Sequence, residues 1–154
     1  ADVTYHAHFP GSRWIAGIPT PAEEINSLVD SGLIASYSGQ ALATKIDRTL
    51  PSGSEFRQLI DLQGSLDLLV DFGRLDKADA VTGIIAFPEE MDLRVIAGAS
   101  GKAAGAVRGE IVNNDVMESV FNGAFYGPGA SSIGGNFAAD FPDASYIGIY
   151  GGDR

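Results

Sequence analysis

His6 and His8 are the only imidazoles in this 154-residue chain, and they stand two positions apart. On an extended strand an i, i+2 pair projects from one face. Two imidazoles on one face form a ligand set for a transition metal, and either ring alone is an axial ligand for haem iron. His6 and His8 are therefore the candidate ligand-binding residues, for haem or a metal. The plainer reading is two exposed strand residues close to the chain end. Tyr5 falls on the opposite face and cannot join them.

Other chemistries lack their parts. The chain has no cysteine, so disulfides, thiolate zinc sites and thiol nucleophiles are excluded. A serine nucleophile needs a base beside it, and no Gly-x-Ser-x-Gly elbow occurs. Gly98-Ala99-Ser100-Gly101-Lys102 resembles a phosphate loop superficially, but Ala103 follows where Ser or Thr is needed. It reads as a turn between strands. The acidic residues Asp61, Asp67, Asp71, Asp76, Asp79, Glu89, Glu90, Asp92, Asp115 and Glu118 do not fall into the order of a calcium loop. The expectation is a protein that is not an enzyme and holds no resident cofactor, with haem on His6 or His8 as the one exception.

Charge narrows the partners. The net charge of −10 opposes nucleic acid, which needs clustered Lys and Arg, and opposes anionic membrane surfaces. No run of about 18 apolar residues is present, so no transmembrane helix is expected. The 45% hydrophobic content argues against a disordered chain, and 20 glycines favour turns and strands over long helices.

Strands must therefore position whatever site exists. Residues 120–141 give the clearest hairpin. Phe121, Gly123 and Phe125 alternate with polar or small residues, as do Gly135, Phe137, Ala139 and Phe141. Gly127-Pro128-Gly129-Ala130-Ser131-Ser132 between them is rich in turn formers, giving a loop longer than two residues. Gly123, Gly134 and Gly135 inside the strands predict sharp bending or an aromatic ring over bare backbone. In 64–73, Leu66, Leu68, Val70 and Phe72 face one way, and Ser65, Asp67, Leu69 and Asp71 the other. Tyr37, Gly39, Ala41 and Ala43 share a face of a strand over 33–44. Further strands are predicted near 81–87, 93–99, 105–113 and 145–151, and the last pairs with the first. The stretch 45–63 breaks the pattern. Pro51-Ser52-Gly53-Ser54 is a turn, and Phe56, Leu59 and Ile60 have helical spacing, so a long loop or short helix is expected there. Tyr37, Phe72, Phe87, Phe121, Phe125, Phe137 and Phe141 are the expected filling, with a ligand cavity as the alternative.

Ahead of these strands, 3–9 alternate cleanly and 13–18 form a second apolar run, pairing through Pro10-Gly11-Ser12. Residues 20–32 predict a helix: Thr20 as cap, Pro21 in the first turn, Glu23 and Glu24 at the positive end, Gly32 as terminator. The fold expectation is all-β, an eight-stranded antiparallel barrel over 33–154, with residues 1–32 as a strand-and-helix extension packed on it.

Gly123-Ala124-Phe125-Tyr126-Gly127-Pro128, then Ala130, then Gly134-Gly135-Asn136-Phe137 resembles the last hairpin of the β-barrel domain of transferrin-binding protein B. Factor H-binding surface lipoproteins and secreted haem-scavenging proteins of Gram-negative bacteria carry related barrels. Ile34-Ala35-Ser36-Tyr37-Ser38-Gly39 and Leu69-Val70-Asp71-Phe72-Gly73 match the barrel's first strands in order. The resemblance implies a binding module that is secreted, at the cell surface or outer membrane, or periplasmic. It further implies iron acquisition by capture of an iron- or haem-bearing protein or another protein partner, through loops such as 45–63 and 74–80. A lipid-anchoring cysteine would have to come from residues outside these 154, and a start at Ala1-Asp2 fits a processed end or an excised domain equally. A structural module of an envelope or filament assembly is the alternative, self-associating through the N-terminal strand in residues 1–18.

Overall fold

The chain is described by a computed structural model over residues 3–7, 13–49, 58–100 and 105–154, with side chains from Ile15 onward. From Ile34 to Asp153 it runs as eight antiparallel strands. These are β3 (Ile34–Asp47), β4 (Gln58–Asp71), β5 (Val81–Ala86), β6 (Leu93–Ala99), β7 (Ala106–Ile111), β8 (Glu118–Tyr126), β9 (Ser132–Asp140) and β10 (Ala144–Asp153). Each pairs with its neighbour in sequence, and β10 returns to pair with β3, closing a barrel. The closing ladder is long, running from Ala144 opposite Asp47 to Asp153 opposite Ser38. Among the described residues no helix is long and apolar enough to cross a membrane.

Eight strands enclose an interior that side chains alone can fill. All seven aromatics expected inside are buried there, and Tyr146 and Tyr150 of the last strand join them. The rings interlock along the axis. Phe72 and Tyr37 meet Phe125 at 5.0 and 5.9 Å, Phe121 stacks on Tyr150 at 4.6 Å, and Phe141 meets Tyr146 edge-on at 5.8 Å. Such contacts add about 0.5–1.5 kcal/mol per pair to the gain from burial. The phenols find partners: Tyr37 donates to the Ala130 carbonyl at 2.6 Å and Tyr150 to the Asn122 carbonyl at 2.9 Å. Burial pushes the Tyr37 phenol up to about 12, against a smaller opposing pull from Arg154, so it remains a donor at neutral pH.

Glycine permits this closeness. A Cβ on Gly123 would lie 2.1 Å from the Tyr150 hydroxyl, and one on Gly135 would lie 1.9 Å from the Asn122 carbonyl oxygen. The first is a ring over bare backbone, and the second is two strands drawn together where the wall bends.

The stretch 45–63 corrects the sequence expectation. It is not an inserted loop or helix along its length, because β3 continues to Asp47 and β4 begins at Gln58. Lys45 pairs with Ile60 and Ile46 with Leu59. The apolar trio at 59, 60 and 62 fits either period, and the long ladder to β3 selects the strand. Leu59 is then left 68% exposed on the outer face. Residues 50–57, including Pro51-Ser52-Gly53-Ser54 and Phe56, lie outside the described residues. At the other end of β4, Phe72 leaves the strand and enters a 3-10 turn over Phe72–Arg74.

The N-terminal segment forms its own two-stranded sheet, β1 (Val3–Ala7) with β2 (Arg13–Gly17), Val3 opposite Gly17 and Ala7 opposite Arg13. The expected turn at Pro10-Gly11-Ser12 lies outside the described residues. This sheet rests against β9 and β10. On that outer face Ser132, Gly134, Ile149 and Gly151 are buried although they point away from the barrel axis.

A helix, α1 (Ala22–Ser31), follows and ends at Gly32 in the left-handed conformation, as its sequence predicts. Thr20 does not cap it. Pro21 occupies the cap position without a side-chain bond, and the Thr20 hydroxyl donates instead to the Gly127 carbonyl at 2.8 Å. That bond and the Thr20 amide, which donates to the Phe125 carbonyl at 3.0 Å, tie the helix entry to the β8–β9 turn.

Two substitutions test this packing from opposite sides. Phe121→Ala should lower stability by about 3–5 kcal/mol through the cavity it leaves, and Tm by roughly 10 °C for a chain of this size. Gly135→Val should destabilise the barrel although it adds apolar volume. Urea unfolding measures both, and a neutral Gly135→Val would refute the close strand approach.

A candidate functional site at the open end of the barrel

Among the described residues the two ends of the barrel differ, because α1 covers only one. Ile25 of the helix is buried, with Leu28 and Val29 packed against the core. The Phe72 amide donates to the Leu33 carbonyl at 2.9 Å, and the Gly129 amide donates to the Glu24 carboxylate at 2.6 Å. The helix thus seals the end holding the β4–β5 and β8–β9 connections. The opposite end carries the β3–β4, β5–β6, β7–β8 and β9–β10 connections.

At that open end three polar side chains close the interior. Lys45, inward on β3, donates to both Glu90 carboxylate oxygens at 2.9 Å. The Tyr146 hydroxyl donates to the same carboxylate at 2.7 Å, and the Lys45 ammonium lies 5.8 Å from the Tyr146 ring. The Lys45 and Glu90 side chains are each only 17% exposed. Burial, reinforced by the Glu90 carboxylate, pushes the Tyr146 phenol well above its ordinary range. This network pins the β5–β6 connection across the barrel mouth.

Arg48 organises the neighbouring edge. Its guanidinium donates to the Ser145 hydroxyl at 2.7 Å, to Asp140 at 3.0 Å and to the Phe141 carbonyl. Ser145 in turn donates to Asp140. The Ser145 hydroxyl, then Arg48, hold the Asp140 carboxyl below the usual carboxylate range. The Asp47 carboxyl is likewise held low, chiefly by the Thr49 hydroxyl and amide, which donate to it at 2.6 and 2.8 Å. On the far side Asn113 accepts from the Arg94 amide at 2.8 Å and donates to the Asp92 carbonyl at 2.6 Å, fastening the β7–β8 connection to the start of β6.

Between these fastenings lies a groove of about 300 Å³. Its apolar surface comes from Met91, Phe141, Pro142, Ala144 and Tyr146, and its charged surface from Lys45, Asp47, Glu90, Asp115 and Asp143. Met91 is 48% exposed, and Met117 on the adjacent connection 60%. The hydroxyls beside the groove act as fastenings, Thr49 to Asp47 and Tyr146 to Glu90, and together they frame a shaped, charged depression, which suits binding.

The candidate histidines are described only in part. His6 stands in β1 opposite Trp14, in the sheet that rests outside the barrel, and its side chain and all of His8 lie outside the described residues. Among the described residues no cluster of three or more His, Asp or Glu forms a metal site. Of the two expected contact stretches, 45–63 reaches the groove through Lys45, Asp47 and Thr49, and its residues 50–57 lie outside the described residues. The segment 74–80 belongs to the capped end, where the Ala99 amide donates to the Leu75 carbonyl at 2.7 Å. Lys45 enters the sequence expectation only as part of the contact stretch 45–63, Glu90 only among the acidic residues weighed for calcium, and Tyr146 carries no site expectation. One signal was available: Lys45 continues the inward series Tyr37, Gly39, Ala41, Ala43, and a charge on an apolar face needs a partner.

Lys45→Met should destabilise the protein by about 1–3 kcal/mol, because it leaves the Glu90 charge with only the Tyr146 hydroxyl to satisfy it. The Lys45→Met/Glu90→Leu pair should recover most of that loss in thermal unfolding. Acid should act through Asp140. Its folded-state pKa is depressed, so its contribution is complete above the ordinary carboxylate value of about 4 and is lost as pH falls through the folded value. Asp140→Asn should therefore flatten the acid limb of a Tm-against-pH curve and leave its neutral limb in place.

No protein-family model and no curated protein sequence matches the chain. Solved structures do match its fold. A surface lipoprotein superposes with a TM-score of 0.60 at 15% identity, over 99% of this chain and 76% of that one. A transferrin-binding protein B variant from Actinobacillus pleuropneumoniae gives 0.61 at 15% identity, over 99% and 76%. The intact two-lobed transferrin-binding protein B gives 0.62 at 15% identity, over 92% of this chain and only 29% of that one. The N-lobe of lactoferrin-binding protein B from Moraxella bovis gives 0.52 at 14% identity, over 99% and 71%. At such identities the likeness is one of architecture: the chain folds as a β-barrel domain of the transferrin-binding protein B type.

Proposed function

We propose that this chain is a non-enzymatic binding module of a Gram-negative bacterium, acting outside the cytoplasm at the cell surface or in secreted form, and that it captures a protein partner. The observation that carries the reading is the open-end groove, built from four chain segments on a barrel of the type found in a surface lipoprotein and in transferrin- and lactoferrin-binding proteins. Loops fastened to a rigid barrel vary without cost to the fold, which suits them to recognition. The finer reading is capture of an iron- or haem-bearing protein. Residues 1–32 then serve as an extension of the 33–154 barrel rather than as a separate unit. The net charge of −10 keeps nucleic acid out of the account.

Biolayer interferometry against purified iron-loaded transferrin and lactoferrin tests the reading. Saturable binding, weakened about fivefold or more by Met91→Ala at the mouth and unchanged by Ile34→Ala on the barrel side, is the expected result. Failure to bind either protein, with scattering mass rising with concentration, would favour the structural reading. In that reading copies associate through the N-terminal β1–β2 sheet, whose outer edges have no barrel strand beside them. Haem carriage on His6 or His8 rests on residue type and spacing. A Soret band on haem titration, lost in His6→Ala or His8→Ala, would support it, and an unaltered band in both variants would remove it.

A further inference from the structure

We infer that α1 is a lid on its end of the barrel, held shut by the strained β8–β9 turn, and that lid and turn open as one unit. The helix is poorly equipped to hold itself. It has ten residues, no side-chain bond at its cap and no basic residue in its last turn, and isolated helices shorter than about 12–15 residues are marginal in water. Ile25 alone among its side chains is fully buried, with Leu28 and Val29 packed against the edge of the core. Each barrel strand, by contrast, has a ladder on either side. Burial and hydrogen bonding therefore place α1 among the elements that open before the barrel does.

The turn it rests on supplies the catch. Among the described residues α1 packs mainly against two 3-10 turns, Phe72–Arg74 and Pro128–Ala130. The second is strained. Gly127, Gly129 and Ala130 take positive φ of 75°, 59° and 54°, and Ala130 is a buried L-residue in a region that glycine adopts more readily. Such backbone persists only where its surroundings over-determine it. Here three grips do so. The Gly127 amide donates to the Ile18 carbonyl at 2.8 Å, and the Gly127 carbonyl accepts from the Thr20 hydroxyl at 2.8 Å. The Gly129 amide donates to the Glu24 carboxylate at 2.6 Å. The Tyr37 hydroxyl, on β3, donates to the Ala130 carbonyl at 2.6 Å. The first two grips come from the entry to α1 and from its first turn. The dependence is mutual: the turn keeps its shape because the helix is docked, and the helix stays docked because the turn offers it an amide and a carbonyl. Members of one such network lose their contacts together. An open lid gives solvent access to the Phe72 and Phe125 rings, which meet at 5.0 Å at this end.

Native-state hydrogen exchange of the full chain, read by NMR, tests the inference. The α1 amides and the Gly127 and Gly129 amides should exchange through one shared opening, more frequent than global unfolding. Glu24→Gln replaces a charge-assisted bond with a weaker one and should speed exchange about tenfold in both places, leaving β4, β5 and β6 as they were. Glu23→Gln makes the same change on its exposed neighbour and should alter neither place. Gly129→Ala leaves the helix untouched. Its Cβ has room, the closest atom being an Arg154 guanidinium nitrogen at 3.8 Å, so it adds only the cost of positive φ, and α1 exchange should rise all the same. Thr20→Val, which removes the hydroxyl and keeps the shape, should act in the same direction. Faster exchange confined to the element that carries the substitution would overturn the inference. So would equal effects of Glu23→Gln and Glu24→Gln, or α1 amides that exchange only when the whole barrel unfolds.

Discussion

Everything in this fold depends on one ladder, that between β10 and β3. A meander of eight strands has two edges until its ends meet, and each free edge exposes a row of amides and carbonyls. Here the last strand runs beside the first for ten residues, from Ala144 to Asp153. Closure converts an open sheet into a cylinder with an inside, and only then do the alternating apolar faces have a common place to go. It also brings residues far apart in the chain into contact, since Arg48 reaches Ser145 and Asp140 across the same seam.

Filling the cylinder imposes the next constraint. Large rings crowd the axis, and the wall must yield where they press. Tyr150 lies over Gly123 and stacks on Phe121, while Gly135 admits the backbone of β8. Aromatic residues and strand glycines are thus two halves of one packing solution. Interiors are packed to near-crystalline density, so neither half can change alone.

The ends then diverge in character. At the capped end α1 supplies apolar cover, and backbone amides find carbonyl or carboxylate partners. At the open end cover comes from polar side chains, with the Lys45–Glu90–Tyr146 network standing where apolar residues would otherwise be needed. A partly buried ion pair adds little net stability over an apolar plug. It does hold a loop in one place while leaving a wet, charged depression above it. Rigid placement of exposed loops is what a recognition surface needs.

Much of this architecture was legible in the residues alone. Period-two alternation located seven of the eight barrel strands closely, and the glycine-rich hairpin around 127–132 announced both its turn and its close ring-to-backbone contacts. That information is local: which face is apolar and where the chain must turn follow from neighbouring residues. The stretch 45–63 departs from its sequence expectation because Leu59, Ile60 and Leu62 suit two periods, and only the ladder to β3 decides between them. Thr20 reads as a helix cap from its neighbours alone, whereas its hydroxyl is taken by a carbonyl 107 residues away. The open-end site was hidden for the same reason. Lys45, Glu90 and Tyr146 share no motif, and their association exists only after closure sets strand beside strand. Residue type and alternation determined that this chain is an aromatic-filled, acidic barrel. Tertiary structure decided which end α1 covers and which charges meet at the other, because register and closure are properties of pairs of strands and not of any one of them.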